Sequence, residues 1–224
     1  MNPPLDLIIF DCDGVLVDSE IIGITLTRSL LAEHGVAIGF EAFCTHYSGL
    51  HWDTLIAKVQ ASTGVPLPAS LYQTFYAALL AEFDARLTRI PGTREAIGTL
   101  TLPKCICSNS ASAQLELMLS KVGLQDLFAG AIYSAADLGP GRGKPLPDIF
   151  LHAAACFKAD PARTLVIEDS VPGVTAAKRA GMQVIGFTGG AHTFPQHGDR
   201  LLAAGADRLM AEMAHLPQVL AERT

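Results

Sequence analysis

The hydrophobic positions fall into two regimes along the chain. From Leu5 to Phe10 they run almost without a break and stop at Asp11 and Asp13. Such a run predicts a short strand buried on both faces, followed by a tight loop at Gly14. From Asp18 to Arg89 no strand-like alternation occurs. Ile21, Ile22, Leu26, Leu30 and Leu31 recur near helical spacing, so a helix is predicted over Ser19–Glu33 with its stop at His34-Gly35. Further helices are predicted over Phe40–His46, His51–Ala61 and Ala69–Phe83, the last two divided by Pro66 and Pro68.

Beyond Pro91 the two periods alternate. Strands are predicted at Lys104–Ser108, Ala131–Ser134, Thr164–Ile167 and Gln183–Phe187. Helices are predicted at Thr93–Leu100, Ser112–Val122, Pro147–Cys156 and Val171–Ala180. Ala203–Met213 reads as an edge element and Leu216–Ala221 as a closing helix. Alternating strands and helices call for βαβ units and a mostly parallel sheet. The strand at Leu5 finds no partner before Lys104. The expected fold class is therefore α/β, with a Rossmann-like, mostly parallel core and an inserted all-helical cap. The core is assigned to residues 1–16 and 89–224, the cap to residues 17–88, with hinges near Leu16–Ser19 and Arg89–Gly92. A chain of 224 residues suits one core plus an insertion.

Composition narrows the function classes. The formal net charge of -6 disfavours a nucleic-acid binder, which needs a positive field. It leaves a small anionic substrate open, because an ion and one or two local cations override the global sign. Met1–Phe10 has no basic region ahead of its apolar run, so no signal peptide is expected. No apolar stretch approaches the ~20 residues of a membrane helix. The five cysteines, odd in number and without a CxxC pair, fit free thiols in a reducing cytosol. Cys105 and Cys107 are read as core fillers on opposite faces of a strand. A cytoplasmic protein, a monomer or weak homodimer without membrane or nucleic-acid partners, is expected.

Four polar groups follow predicted strands or lie in a loop between them: Asp11 with Asp13, Ser108 with Asn109, Lys144, and Glu168 with Asp169. In open α/β sheets the ligand crevice lies beyond the carboxyl ends of the strands, so these distant groups are expected around one crevice. Neighbouring carboxylates repel unless a cation joins them, and Mg²⁺ with oxygen ligands suits a phosphate site. One aspartate then serves as nucleophile and the other as acid and base. Lys144, in Gly141-Arg142-Gly143-Lys144-Pro145, offers a point cation for phosphoryl oxygens. Ser108 and Asn109 offer donors near a helix start. Each motif alone also has a plain reading: a polar turn, a solvated loop lysine, a helix cap at Ser110, Ser112, Asp169 or Ser170.

Together these motifs resemble the haloacid dehalogenase-like (HAD) hydrolase superfamily, in the phosphatase branch with a small helical cap. Ile9-Phe10-Asp11-Cys12-Asp13-Gly14-Val15-Leu16-Val17-Asp18-Ser19-Glu20 resembles the first motif, Ile106-Cys107-Ser108-Asn109-Ser110 the second, Lys144-Pro145-Leu146-Pro147-Asp148 the third and Val166-Ile167-Glu168-Asp169-Ser170 the fourth. The resemblance implies Asp11 as nucleophile, Asp13 as acid/base and Ser108 as phosphoryl binder. It implies Mg²⁺ on the Asp11 carboxylate, the Asp13 carbonyl and Asp169, with Glu168 helping directly or through water. Asp13 separates the chain from haloacid dehalogenases, which lack this second acid. Phosphonoacetaldehyde hydrolases replace it and add a cap lysine, for which Ser19–Gly23 has no equivalent. Gly23 and Trp52 stand where beta-phosphoglucomutases carry a cap histidine and arginine. The pattern implies a phosphorylated small metabolite as substrate, a sugar or sugar-acid phosphate as in bacterial 6-phosphogluconate phosphatases. A phosphomutase and a non-catalytic phosphate-binding module are the alternatives.

In the cap, His46, His51, Trp52 and Lys58 are the candidates to read the leaving group, although Trp52 equally suits packing between cap helices. His192 and His197, in a Gly- and Pro-rich loop near Asp199, lack compelling ligand spacing and read as a surface loop rim.

Overall fold

The computed structural model describes residues 4–222, so residues 1–3 and 223–224 of the expected core lie outside it. Strand β1 (Leu7–Phe10) comes first, followed by four helices: α1 (Glu20–Glu33), α2 (Phe40–His46), α3 (Trp52–Thr63) and α4 (Leu71–Arg86). The chain then alternates through α5 (Thr93–Gly98), β2 (Lys104–Ser108), α6 (Ser112–Lys121), β3 (Ile132–Ser134), α7 (Asp148–Phe157), β4 (Thr164–Glu168), α8 (Val171–Arg179), β5 (Gln183–Phe187), α9 (His197–Ala203), β6 (Arg208–Met210) and α10 (Leu216–Ala221). The strands form one sheet in the order β3-β2-β1-β4-β5-β6, and every pairing is parallel. The strand order reverses between β1 and β4.

Side-chain alternation sorts the sheet into two buried faces. Ile8 and Phe10 of β1, Ile106, Leu165, Ile167 and Ile185 face one side, where they meet Ile97 of α5, Leu115 and Leu119 of α6 and Leu216 of α10. Leu7, Ile9, Val166 and Val184 face the other, against Ile149 and Phe150 of α7 and Val174 of α8. Burial on both faces explains why β1 reads as an unbroken apolar run. Cys105 and Cys107 share the second face. This corrects the opposite-face reading, because residues two apart in a strand point the same way. The edge element expected over Ala203–Met213 is β6, the last strand of the sheet, preceded by a turn.

The helical insertion has its own core, built on Ile24, Leu31, Phe43, Leu55 and Val59. It is not separate from the sheet: Ile22, Leu79, Phe83 and Leu87 join the first sheet face. At its base the two crossing segments are stitched together. Asp18 N–H donates to the Thr88 carbonyl at 2.9 Å and Ile90 N–H to the Leu16 carbonyl at 2.9 Å, with an antiparallel bridge between Val17 and Arg89. Among the described residues no helix is long and apolar enough to cross a membrane.

Phe128, only 2% exposed, meets Phe10 edge to face with ring centroids 5.9 Å apart. Phe128→Ala is expected to lower stability by about 3–5 kcal/mol, measured by urea unfolding. A loss below ~1 kcal/mol would show that this face collapses and refills the space.

Candidate active site

The sheet brings the four polar groups to one place. Asp11 leaves β1 with its N–H on the Ile167 carbonyl at 2.9 Å, which sets it beside the end of β4, where Glu168 and Asp169 follow. That position is the reversal of strand order, where open α/β sheets leave their crevice. Lys144 comes from the loop before α7. Its Nζ reaches Asp11 Oδ1 at 2.5 Å, Glu168 Oε1 at 2.6 Å and the Cys107 carbonyl at 2.9 Å, and it lies 5.1 Å from the centre of the Phe150 ring. Asn109 serves this arrangement, since its Oδ1 accepts from Lys144 N–H at 2.9 Å. Asp11, Lys144, Glu168 and Asp169 are all buried.

The cluster has more negative charge than one lysine balances. Burial pushes the Asp11 carboxyl well above the ordinary carboxylate range; Lys144 pulls it back, and Glu168, Asp169 and Asp13 raise it again. Asp169 is likewise raised, by burial first and then by Glu168, with Lys144 opposing. Lys144 is held above its usual value: burial alone would lower it, but the charges of Asp11 and Glu168 more than reverse that. Buried carboxylates in this state favour an added cation. A divalent ion fits the donor set of the Asp11 and Asp169 carboxylates and the Asp13 carbonyl, all oxygens. Among the described residues no three His, Cys, Asp or Glu side chains cluster tightly enough to hold an ion by themselves. The second oxygen of Glu168 accepts from Ser170 N–H at 2.8 Å and Ser170 Oγ at 2.9 Å.

Two glycines make room for these carboxylates. A Cβ on Gly173 would stand 1.7 Å from Glu168 Oε1, and one on Gly14, at φ +77°, would stand 1.9 Å from Asp169 Oδ2. Ser170, not Asp169, caps α8, its side chain accepting from Gly173 N–H. The Asp13 carboxylate accepts from three hydroxyls: Ser19 at 2.6 Å, Ser110 at 2.8 Å and Ser108 at 3.1 Å. Ser19 lies at the base of the insertion, so one of these bonds spans the hinge. Neither Ser110 nor Ser112 caps α6.

His192 and His197 require a correction. They are buried, not on a loop rim. His197 Nε2–H donates to the Asp169 carbonyl at 2.6 Å, and His192 Nε2 lies 3.0 Å from Asp169 Oδ2. The loop folds inward because Phe194 stacks on His197 at 5.3 Å and joins the apolar core of the insertion. Glu20, at the start of α1, was absent from the sequence candidates yet lines the crevice. Burial pushes its carboxyl up to about 7, opposed by His192. Its only sequence signal is an acid directly after the Asp18-Ser19 hinge.

The crevice between cap and sheet measures about 1150 Å³ and is lined by Asp11, Asp13, Ser108, Asn109, Lys144, Glu168 and Asp169 from the sheet side. From the cap it is lined by His51 and Trp52. His46 and Lys58 are not on its wall, which corrects their candidacy. Lys58 Nζ instead donates to the His46 carbonyl at 2.7 Å and sits over the Tyr47 ring at 5.5 Å. His46, at the end of α2, and Lys58, on α3, are both exposed.

Residues 5–181 match the haloacid dehalogenase-like hydrolase family. The chain is a haloacid dehalogenase-like hydrolase. A conserved haloacid dehalogenase-like protein of unknown function from Agrobacterium tumefaciens str. C58 is 49% identical, with a TM-score of 0.92 over 97% of this chain and 98% of that one. A HAD family hydrolase from Deinococcus radiodurans R1, solved with bound phosphate and sodium, is 33% identical, with a TM-score of 0.83 over 98% of this chain and 96% of that one. The 6-phosphogluconate phosphatase of Escherichia coli (strain K12) is 29% identical over 85% of this chain and 86% of its own length.

The geometry yields two tests. Gly173→Ala displaces Glu168 from Lys144 and is expected to lower activity about 10–100-fold while the protein stays folded by circular dichroism; wild-type activity would show that Glu168 moves without consequence. His197 is pushed down to about 4, by burial first, from 6.5. Between those values the unfolded chain binds the proton and the folded chain does not. The stability contributed here is thus full above pH 6.5 and lost as pH falls toward 4. His197→Gln is expected to flatten that part of the plot of Tm against pH, and an unchanged slope would refute the assignment.

Proposed function

We propose that this hydrolase is a Mg²⁺-dependent phosphatase that cleaves a small phosphorylated metabolite through an aspartyl-phosphate on Asp11. The observation that carries this reading is the buried Asp11–Lys144–Glu168 contact beside Asp169, at the strand-order reversal. The carboxylate excess there costs stability. A carboxylate at such a crevice is a nucleophile of the aspartyl-phosphate type, and a small-molecule cleft of about 300–1000 Å³ is common, close to the volume enclosed here.

In this reading each residue has a task. Asp11 attacks phosphorus, the bond from phosphorus to the leaving oxygen breaks, and Asp13 gives that oxygen its proton. A water then attacks phosphorus, Asp13 takes the water's proton, and the acyl–phosphate bond breaks to return Asp11 and inorganic phosphate. Lys144 aims Asp11 and neutralises charge spreading over the phosphoryl oxygens. Ser108 and Asn109 bracket the phosphoryl position, Asn109 also holding the Lys144 loop. A bound Mg²⁺, held by the Asp11 and Asp169 carboxylates and the Asp13 carbonyl, would add Lewis-acid charge to the phosphoryl oxygens. Glu168 then acts behind these ligands through Lys144 and Ser170.

A sugar-like alcohol is the leaving group this reading favours, as the 6-phosphogluconate phosphatase relative suggests. The mutase alternative lacks a second phosphate pocket, because among the described residues the cap gives the crevice no lysine or arginine. Asp11→Asn should abolish phosphate release from every substrate while the fold is kept; substantial residual turnover would remove Asp11 as nucleophile. Asp13→Asn should slow release about 10²–10⁴-fold, most for alcohols of high pKa, and equal slowing across leaving groups would count against its acid role. The primary assay is phosphate release across phosphorylated sugars, sugar acids and polyols with Mg²⁺ or EDTA, alongside an isomerisation readout. Isomerisation without release would favour a mutase, and inactivity throughout a binding module.

A further inference from the structure

The cap side of the crevice is built from aromatic rings. Trp52 opens α3, and Tyr72, Phe75 and Tyr76 share one face of the first turns of α4, at the three- and four-residue spacing that aligns side chains on a helix. Trp52 and Phe75 are stacked with centroids 4.6 Å apart at 26°, and Tyr72 and Tyr76 are 5.9 Å apart at 24°. Trp52 and Tyr72 join the two pairs at 5.6 Å. All four line the crevice, and none is fully buried; Tyr72 is 45% exposed. Trp52 and Phe75 are backed by the apolar core of the insertion, so that part of the wall is held in place by packing before any ligand arrives. Exposed rings held in this way offer flat contact area at little cost in conformational freedom.

Charge on the same wall points the same way. Of acidic and basic groups, the cap lends the crevice only Glu20 and His51 among the described residues. His51 is mostly exposed, with Nδ1 3.8 Å from the Asp53 carboxylate. On the sheet side, Lys144 is taken by Asp11 and Glu168, and Arg142 faces the Asp148 carboxylate at 3.3 Å. A carboxylate or second phosphate on the leaving group would meet no lysine or arginine on the cap side, and on the sheet side only cations already paired with carboxylates, a lining that favours a neutral group over an anion.

We infer that the leaving group is uncharged and lays a flat apolar ring face against Trp52, Tyr72, Phe75 and Tyr76. This rests on the phosphatase reading and narrows it: neutral ring-bearing phosphate esters are preferred over sugar-acid phosphates. Two kinds of ring share this chemistry, an aromatic heterocycle and the C–H face of a cyclic sugar.

The test compares kcat/KM for four esters. Sorbitol 6-phosphate and 6-phosphogluconate are both acyclic and differ only in a hydroxymethyl or carboxylate end, so their ratio isolates charge. Uridine 5′-phosphate and glucose 6-phosphate add an aromatic or a saturated ring. The acidic ester is expected to be about tenfold poorer than sorbitol 6-phosphate, and at least one ring-bearing ester about tenfold better. The better of the two names the kind of ring. Trp52→Ala and the more exposed Tyr72→Ala should each raise KM for that ester about tenfold and close its gap to sorbitol 6-phosphate. Preference for 6-phosphogluconate, or an unchanged KM in a folded Tyr72→Ala enzyme, overturns the inference. Release from acetyl phosphate with no ranking among the four esters overturns this inference alone, and no release from any compound overturns the phosphatase reading with it.

Discussion

A single ammonium group organises the catalytic end of this molecule. Lys144 is buried, and it satisfies its charge on Asp11, Glu168 and one backbone carbonyl. Breaking a buried ion pair strands a charge, which costs far more than the pair contributes. The loop carrying Lys144, the end of β1 and the end of β4 are therefore tied to one point. The Cys107 carbonyl ties β2 to the same ammonium, and Asn109 holds the Lys144 backbone. Three strands and one loop are thus referenced to the same nitrogen, and the rest of the crevice is arranged around it.

Asp169 is fixed from behind by a different device. His197 holds its carbonyl and His192 its carboxylate, while Gly14 leaves the space the carboxylate fills. On the proposed reaction, the groups that contact reacting atoms are thereby separated from those that orient them. The first come from strand ends and the Lys144 loop. The second come from the loop after β5, which folds inward because Phe194 has an apolar place to go. This division is usual where ligand geometry has to be held within tenths of an ångström.

Most of the fold is legible in the chain. The apolar runs at Leu7–Phe10 and Thr164–Glu168 mark strands buried on both faces, and the helical stretch between Asp18 and Arg89 stands apart by period alone. The convergence of Asp11, Lys144, Glu168 and Asp169 is legible for the same reason, since each polar group follows an apolar strand or precedes a helix. What the chain hides is what depends on tertiary packing. His192 and His197 carry no ligand spacing, and a loop rich in Gly and Pro reads as surface; only the burial of Phe194 turns it inward. Glu20 is one acid among many until α1 places it on the crevice. His46 and Lys58 are candidates by residue type alone, yet α2 and α3 leave them exposed and off the crevice wall, and the orientation of a helix toward a distant sheet is not encoded in local spacing.

The stitched base of the insertion has a consequence for how such a protein changes over time. The chain leaves the sheet at Val17 and returns at Arg89 through neighbouring, hydrogen-bonded segments. To the sheet, everything between them amounts to a short closed loop, and loop-closure cost grows only slowly with the length enclosed. Substitutions above that seam leave strand order and the position of the lysine unchanged, provided that the side chains packed on the sheet, such as Ile22, Leu79 and Phe83, are kept. The base is thus a graft point, at which recognition diversifies while the chemistry beneath it stays the same.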